Sequence, residues 1–120
     1  MSSRNILSLI GAAGALLLVA TQANAHARVV ATTPVASATV ASTRMITVTF
    51  SERVAPAFSG LDVVNAAGAT IAVTSSVSDD GKTVSARTGR ALSAGAYTVN
   101  WRAASNDGHR MTGNFAFTVR

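Results

Sequence analysis

Apolar residues recur at every second position in several short stretches of the chain. Ile46, Val48 and Phe50 alternate with Thr47 and Thr49, and Tyr97, Val99 and Trp101 alternate with Thr98, Asn100 and Arg102. Phe115, Phe117 and Val119 do the same against Ala116 and Thr118. Successive side chains of a strand point to opposite faces, so this period predicts half-buried strands over 45–50, 97–102 and 114–119. Ala27 to Thr32 reads as a first strand, which Pro34 closes because it has no amide proton to donate. The short β-prone runs 61–64 and 70–74 flank the turn residues Asn65-Ala66-Ala67-Gly68 and are expected to pair as a hairpin. Asp79-Asp80-Gly81 predicts a second tight turn leading into a strand over 82–86. Leu92 to Gly95 turns the chain into the Tyr97 strand, and Gly113 suggests a bend before the last one. Val35 to Thr43, rich in Ala, Ser and Thr, reads as an irregular connection.

About seven short strands, turn signals every ten or so residues and no helical period after residue 25 predict an all-β domain. The expected architecture is an immunoglobulin-like or cupredoxin-like Greek-key β-sandwich or barrel. The expected core is Ile46, Val48, Phe50, Val63, Tyr97, Val99, Trp101, Phe115 and Phe117, with Trp101 a packing residue rather than a stacking platform.

The first 25 residues follow a different rule. Arg4 gives a positive start, Ile6 to Ala20 is apolar apart from Ser8, and Ala23-Asn24-Ala25 ends the segment in Ala-x-Ala. Those are the three regions of a secretory signal peptide, with cleavage expected after Ala25. The apolar run is shorter than the roughly 20 residues a spanning helix needs, and no stop-transfer charges follow it. The expected organisation is a signal peptide over 1–25 and one exported, soluble, monomeric domain over 26–120. Cleavage there makes His26 the first residue of the mature chain.

Composition removes several classes of function. Residues 26–120 carry nine Lys and Arg against five Asp and Glu, a net charge of +4, and the basic residues are scattered singly. Nucleic-acid binding needs a clustered basic patch with aromatics to stack on, so no nucleic-acid partner is expected. The chain has no cysteine, which excludes disulfides, thiolate metal sites and cysteine nucleophiles. Its two histidines make no hydrolytic triad, and no glycine-rich loop opens a helix to cradle phosphate.

The remaining chemistry lies in His26, Glu52, Asp107 and His109. Asn106-Asp107-Gly108 is a turn signal just past the Tyr97 strand, and it sets a carboxylate two residues from an imidazole on a loop. A histidine at a free N-terminus offers its α-amine and Nδ1 together, closing a six-membered chelate ring on one ion. With His109 and an Asp107 oxygen the set is three nitrogens and one oxygen, which suits Cu(II) in a tetragonal array. The same donors take zinc tetrahedrally, though the Irving–Williams order favours copper. Asp107 is either a ligand or the partner that orients His109.

These residues also carry a resemblance. His26-Ala27, Thr33-Pro34, Val48-Thr49-Phe50-Ser51-Glu52, Gly95-Ala96-Tyr97-Thr98-Val99-Asn100-Trp101-Arg102, Ser105-Asn106-Asp107-Gly108-His109 and Gly113-Asn114-Phe115-Ala116-Phe117-Thr118-Val119 resemble the CopC copper-resistance family over essentially all of 26–120. The resemblance implies a periplasmic Cu(II)-binding protein with a Greek-key β-barrel, acting as a copper carrier or buffer and not as an enzyme. It implies a Cu(II) site at His26, Asp107 and His109, with Glu52 at or near it, and the single histidine-rich constellation sets the expectation at one Cu(II) per chain. It also implies an inner-membrane copper transporter of the CopD type as partner. One feature departs from it. Some members hold Cu(I) in a methionine-rich loop, whereas this chain has only Met45 and Met111 after residue 25; no second, Cu(I) site is expected. Two alternatives stand beside this reading. One is a copper monooxygenase-like enzyme with an N-terminal histidine brace, which would need an open equatorial position. The other is a structural β-sandwich module that binds no metal.

Overall fold

The structure, a computed structural model, describes residues 27–120; the expected signal peptide and His26 lie outside the described residues. Nine strands follow in order: β1 (Val29–Thr33), β2 (Thr39–Val40), β3 (Met45–Phe50), β4 (Gly60–Asn65), β5 (Thr70–Ile71), β6 (Val73–Val77), β7 (Thr83–Thr88), β8 (Gly95–Ala104) and β9 (Arg110–Val119), with one 3-10 turn at Pro56–Phe58. They form a four-stranded sheet, β1-β3-β7-β6, and a five-stranded sheet, β2-β9-β8-β4-β5. All pairings are antiparallel except β2 with β9. The result is the expected β-sandwich, with two separate sheets rather than a closed barrel.

The alternation in sequence becomes burial. Ile46, Val48 and Phe50 on β3 are essentially inaccessible, and their neighbours Met45, Thr47 and Thr49 are half-buried. From the opposing sheet come Leu61 and Val63 on β4, Tyr97, Val99 and Ala103 on β8, and Phe115, Phe117 and Val119 on β9. Trp101 packs half-buried at the margin of this core, edge-on to Phe50 with ring centroids 5.3 Å apart. The Tyr97 ring stacks on Phe117, and its hydroxyl donates to Ser93 O at 2.7 Å, four residues upstream. That bond satisfies a buried phenol and ties the entry of β8 to the core, as in the tyrosine corner of immunoglobulin-like folds.

Three local expectations need correction. The 70–74 run is not one strand: Thr70–Ile71 pairs with β4, whereas Val73–Val77 crosses to the other sheet and pairs with β7. Val35 to Thr43 contains a two-residue strand, β2, laid parallel to the end of β9. Gly113 is not a bend. It sits inside β9 opposite Trp101, where a Cβ would stand 2.4 Å from the indole ring. Glycine there lets the strand backbone approach the face of a large aromatic.

Candidate metal centre

One end of the sandwich is assembled from four segments. At the start of β1, Ala27 is buried, and Arg28 exchanges hydrogen bonds with Ser51: its N–H donates to Ser51 Oγ at 3.0 Å, and its carbonyl accepts from Ser51 N–H at 2.8 Å. The loop after β3 then runs between two turns. Val54 N–H donates to Gly81 O at 2.8 Å, and Val54 pairs as an isolated bridge with Ser105. Ala55 N–H donates to Ala104 O at 2.8 Å. The segment 27–28, the loop 51–55, the turn 78–82 and the loop 105–109 are thus joined by main-chain bonds.

The two turns share one design, Ser-x-Asp-Gly. In the β6–β7 turn, Ser78 Oγ donates to Asp80 Oδ1 at 2.6 Å, which also accepts Lys82 N–H at 3.0 Å. In the β8–β9 loop, Ser105 Oγ donates to Asp107 Oδ1, which also accepts His109 N–H at 3.1 Å. Gly81 and Gly108 both take positive φ, 76° and 92°, and each donates its N–H back to the serine carbonyl. The motif is therefore a turn device in its own right. What distinguishes the second copy is the residue after the glycine, histidine instead of lysine.

That difference creates the candidate centre. His109 Nδ1 stands 3.3 Å from Asp107 Oδ2. Two donors about 2.0 Å from a common ion stand about 2.8 Å apart at a right angle and about 3.3 Å apart at a tetrahedral angle. The pair therefore fits one small ion with little adjustment. It equally fits an imidazole oriented by the carboxylate through Nδ1, with Nε2 as the donor. Oδ1 is committed to two hydrogen bonds, so Oδ2 is the oxygen turned to this chemistry. The Ser105 hydroxyl, with the His109 N–H and then its imidazole in support, lowers the Asp107 carboxyl to about 2. A carboxylate held ionised in this way is a competent ligand for a cation.

Glu52 is exposed on the adjoining loop. Arg53 beside it donates to Asp80 O at 3.0 Å rather than to Glu52. Among the described residues Glu52 does not join Asp107 and His109 in a group of three able to hold a metal ion. His26 lies outside the described residues, one position ahead of buried Ala27. Ser105, to which the sequence pattern assigned no role, holds the Asp107 carboxylate from within the same turn.

A two-sheet β-sandwich with a carboxylate–imidazole pair on an end loop is the class of protein that fold and site define. Residues 29–120 match the CopC domain. The sequence is 35% identical over 123 residues to copper resistance protein C of Pseudomonas syringae pv. tomato, across 97% of this chain and 98% of that one. Among solved structures, the fold matches PcoC, a methionine-rich copper resistance protein from Escherichia coli, with a TM-score of 0.74 and 33% identity over 80% of this chain and 100% of that one. It also matches CopC from Methylosinus trichosporium OB3b, with a TM-score of 0.72 and 27% identity over 78% of this chain and 93% of that one. The chain belongs to the CopC family of copper-resistance proteins. Unlike the methionine-rich PcoC, it has three methionines in all, of which Met111 packs against the core. Among the described residues no helix is long and apolar enough to cross a membrane.

Proposed function

We propose that the protein is an exported, periplasmic copper carrier or buffer, freed of residues 1–25, that takes one Cu(II) per chain as cargo. The ligands are the α-amine and imidazole of His26, the imidazole of His109 and Asp107 Oδ2, with Glu52 beside them. One observation carries the reading: the segment directly after His26 is hydrogen-bonded into the same end of the sandwich as the Asp107–His109 loop. Three nitrogens and one oxygen suit Cu(II), and the charge on Asp107 offsets part of the charge on the ion. With Asp107 in the fourth equatorial position, none is left open for dioxygen, which favours binding over catalysis. Loading and release then serve copper resistance, with an inner-membrane transporter of the CopD type as the receiving or donating partner.

The test is Cu(II) titration followed by EPR, on protein whose first residue has been confirmed as His26 by mass. One equivalent should bind with a nitrogen-rich tetragonal spectrum, and competition with Cu(I) chelators should reveal no tight Cu(I) site. His109→Ala should weaken Cu(II) binding strongly and leave the fold intact, because the side chain is 60% exposed. Unchanged binding in that variant, or none in the wild type, would sink the assignment.

A further inference from the structure

The outward face of β8 and β9 carries the exposed pairs Asn100–Asn114 and Arg102–Thr112. Where this face approaches the His109 loop, the 3-10 turn Pro56–Phe58 lies against it. No residue of that turn is buried, and Phe58 is 56% exposed. The Arg110 guanidinium sits 5.3 Å from the Phe58 ring centroid. A groove of about 310 Å³ runs between Phe58, Arg102, Arg110 and Met111. A second depression of about 330 Å³ shares Arg102 and Thr112 with it and continues past Asn100 and Asn114 to Trp101.

The strip carries an excess of positive charge. Arg102 and Arg110 line it, and Asp62 is the one carboxylate along either depression. Asp62 meets Arg102 at 3.1 Å with both side chains more than half exposed; such a solvent-exposed pair contributes little net stability. Arg110 meets an aromatic face and, among the described residues, no carboxylate. Aromatic residues and arginine are enriched at protein interfaces, and arginine is among the residues that carry most of their binding energy.

We infer that this strip docks an extended acidic segment of a partner protein. One carboxylate of the segment pairs with Arg110, a second displaces Asp62 from Arg102, and an apolar side chain covers Phe58. From Arg110 to Asn114 the strand runs about 13 Å, the length of four extended residues. Arg110 follows His109 directly, so the docked segment brings carboxylates up to the loop that carries the candidate metal pair.

The experiment is an NMR titration of the 15N-labelled, copper-free processed protein at low salt. The probe is a capped five-residue peptide with a leucine flanked by glutamates and aspartates; the controls are its lysine-substituted counterpart and phosphatidylglycerol vesicles. Saturable shifts should be confined to residues 57–58, 102–104 and 110–114 and should fade as salt screens the charges. Phe58→Ala and Arg110→Ala, both on exposed side chains, should each weaken the peptide by about tenfold, the loss of one interface anchor. Absent or scattered shifts, equal response to the lysine peptide, unchanged affinity in both variants, or response to vesicles alone would each overturn the inference.

Discussion

At the scale of single residues, Ser105 and Ser78 hold two aspartates by the same hydrogen bond in the same kind of turn. They provide a matched pair of substitutions. Ser78→Ala and Ser105→Ala should cost similar, small amounts of thermal stability, but only Ser105→Ala should weaken Cu(II), by about tenfold or more, as expected when the partner orienting a ligand is lost. Equal copper affinity in both variants would mean that the Asp107 carboxylate needs no fixing. The same bond sets a pH dependence. Asp107 sits at about 2 in the folded protein, against about 3.9 for an unperturbed aspartate. A depressed folded value stabilises the fold above about pH 3.9, and that contribution is lost as pH falls through about 2. The Asp107 carboxyl carbon, followed by NMR in the copper-free protein, should therefore titrate near 2 and move up toward its ordinary value in Ser105→Ala. With copper held as proposed, its acid release above that range should follow protonation of the nitrogen donors. Asp107 and His109 stood out as candidates because two potential ligand types fell two residues apart beside a turn signal, and the structure places them 3.3 Å apart. Ser105 did not stand out, since serine is common and its role exists only once the turn has closed.

At the scale of elements, β8 and β9 form the longest ladder among the described residues, and Gly113 faces Trp101 across it. Gly113→Ala puts a methyl carbon within 2.4 Å of the Trp101 ring. Either the indole leaves its edge-on contact with Phe50 or β9 shifts away from β8. Overpacking of this kind costs about 1–3 kcal/mol, so the melting temperature should fall by several degrees. The emission of Trp101, the single tryptophan, should change with it; an unchanged melting curve would show that the indole has room to move. From sequence Gly113 suggested a bend, because a glycine marks a bend or a close approach equally well and only the cross-strand partner decides. The 70–74 run posed the same difficulty. Each residue there is β-prone, but whether it pairs with Val63–Val64 or with Val84–Thr88 is a long-range matter. The strands with strict alternation, 45–50 and 97–102, were readable because one buried face fixes which side chains turn inward. The two-residue β2 has no period to read.

At the scale of the whole molecule, the end of the sandwich that carries Asp107 and His109 is built from segments 27–28, 51–55, 78–82 and 105–109, which hydrogen bonds join to one another. No local pattern in the sequence announces this meeting; donor chemistry at the expected cleavage site grouped His26 with Asp107 and His109, and family resemblance added Glu52. It follows that the scaffold of the site should form whether or not the chain begins at His26, while its chemistry should depend on that beginning. A protein carrying one extra residue ahead of His26 keeps both imidazoles and the Asp107 carboxylate, and Arg28 still bonds Ser51. Its His26 nitrogen, however, is an amide, a poor donor until deprotonated, and the amine–imidazole chelate ring is lost. The extended and native forms should show matching thermal unfolding and matching NMR shifts at 51–55 and 105–109 in the copper-free state. Titrated under identical buffer, the extended form should bind Cu(II) much more weakly and give a different EPR spectrum. Equal affinity and superimposable spectra would remove the α-amine from the ligand set, and with it the case that removal of residues 1–25 completes the site. Weaker copper binding with an altered apo fold would instead show that the N-terminus is a structural strap for this end of the sandwich.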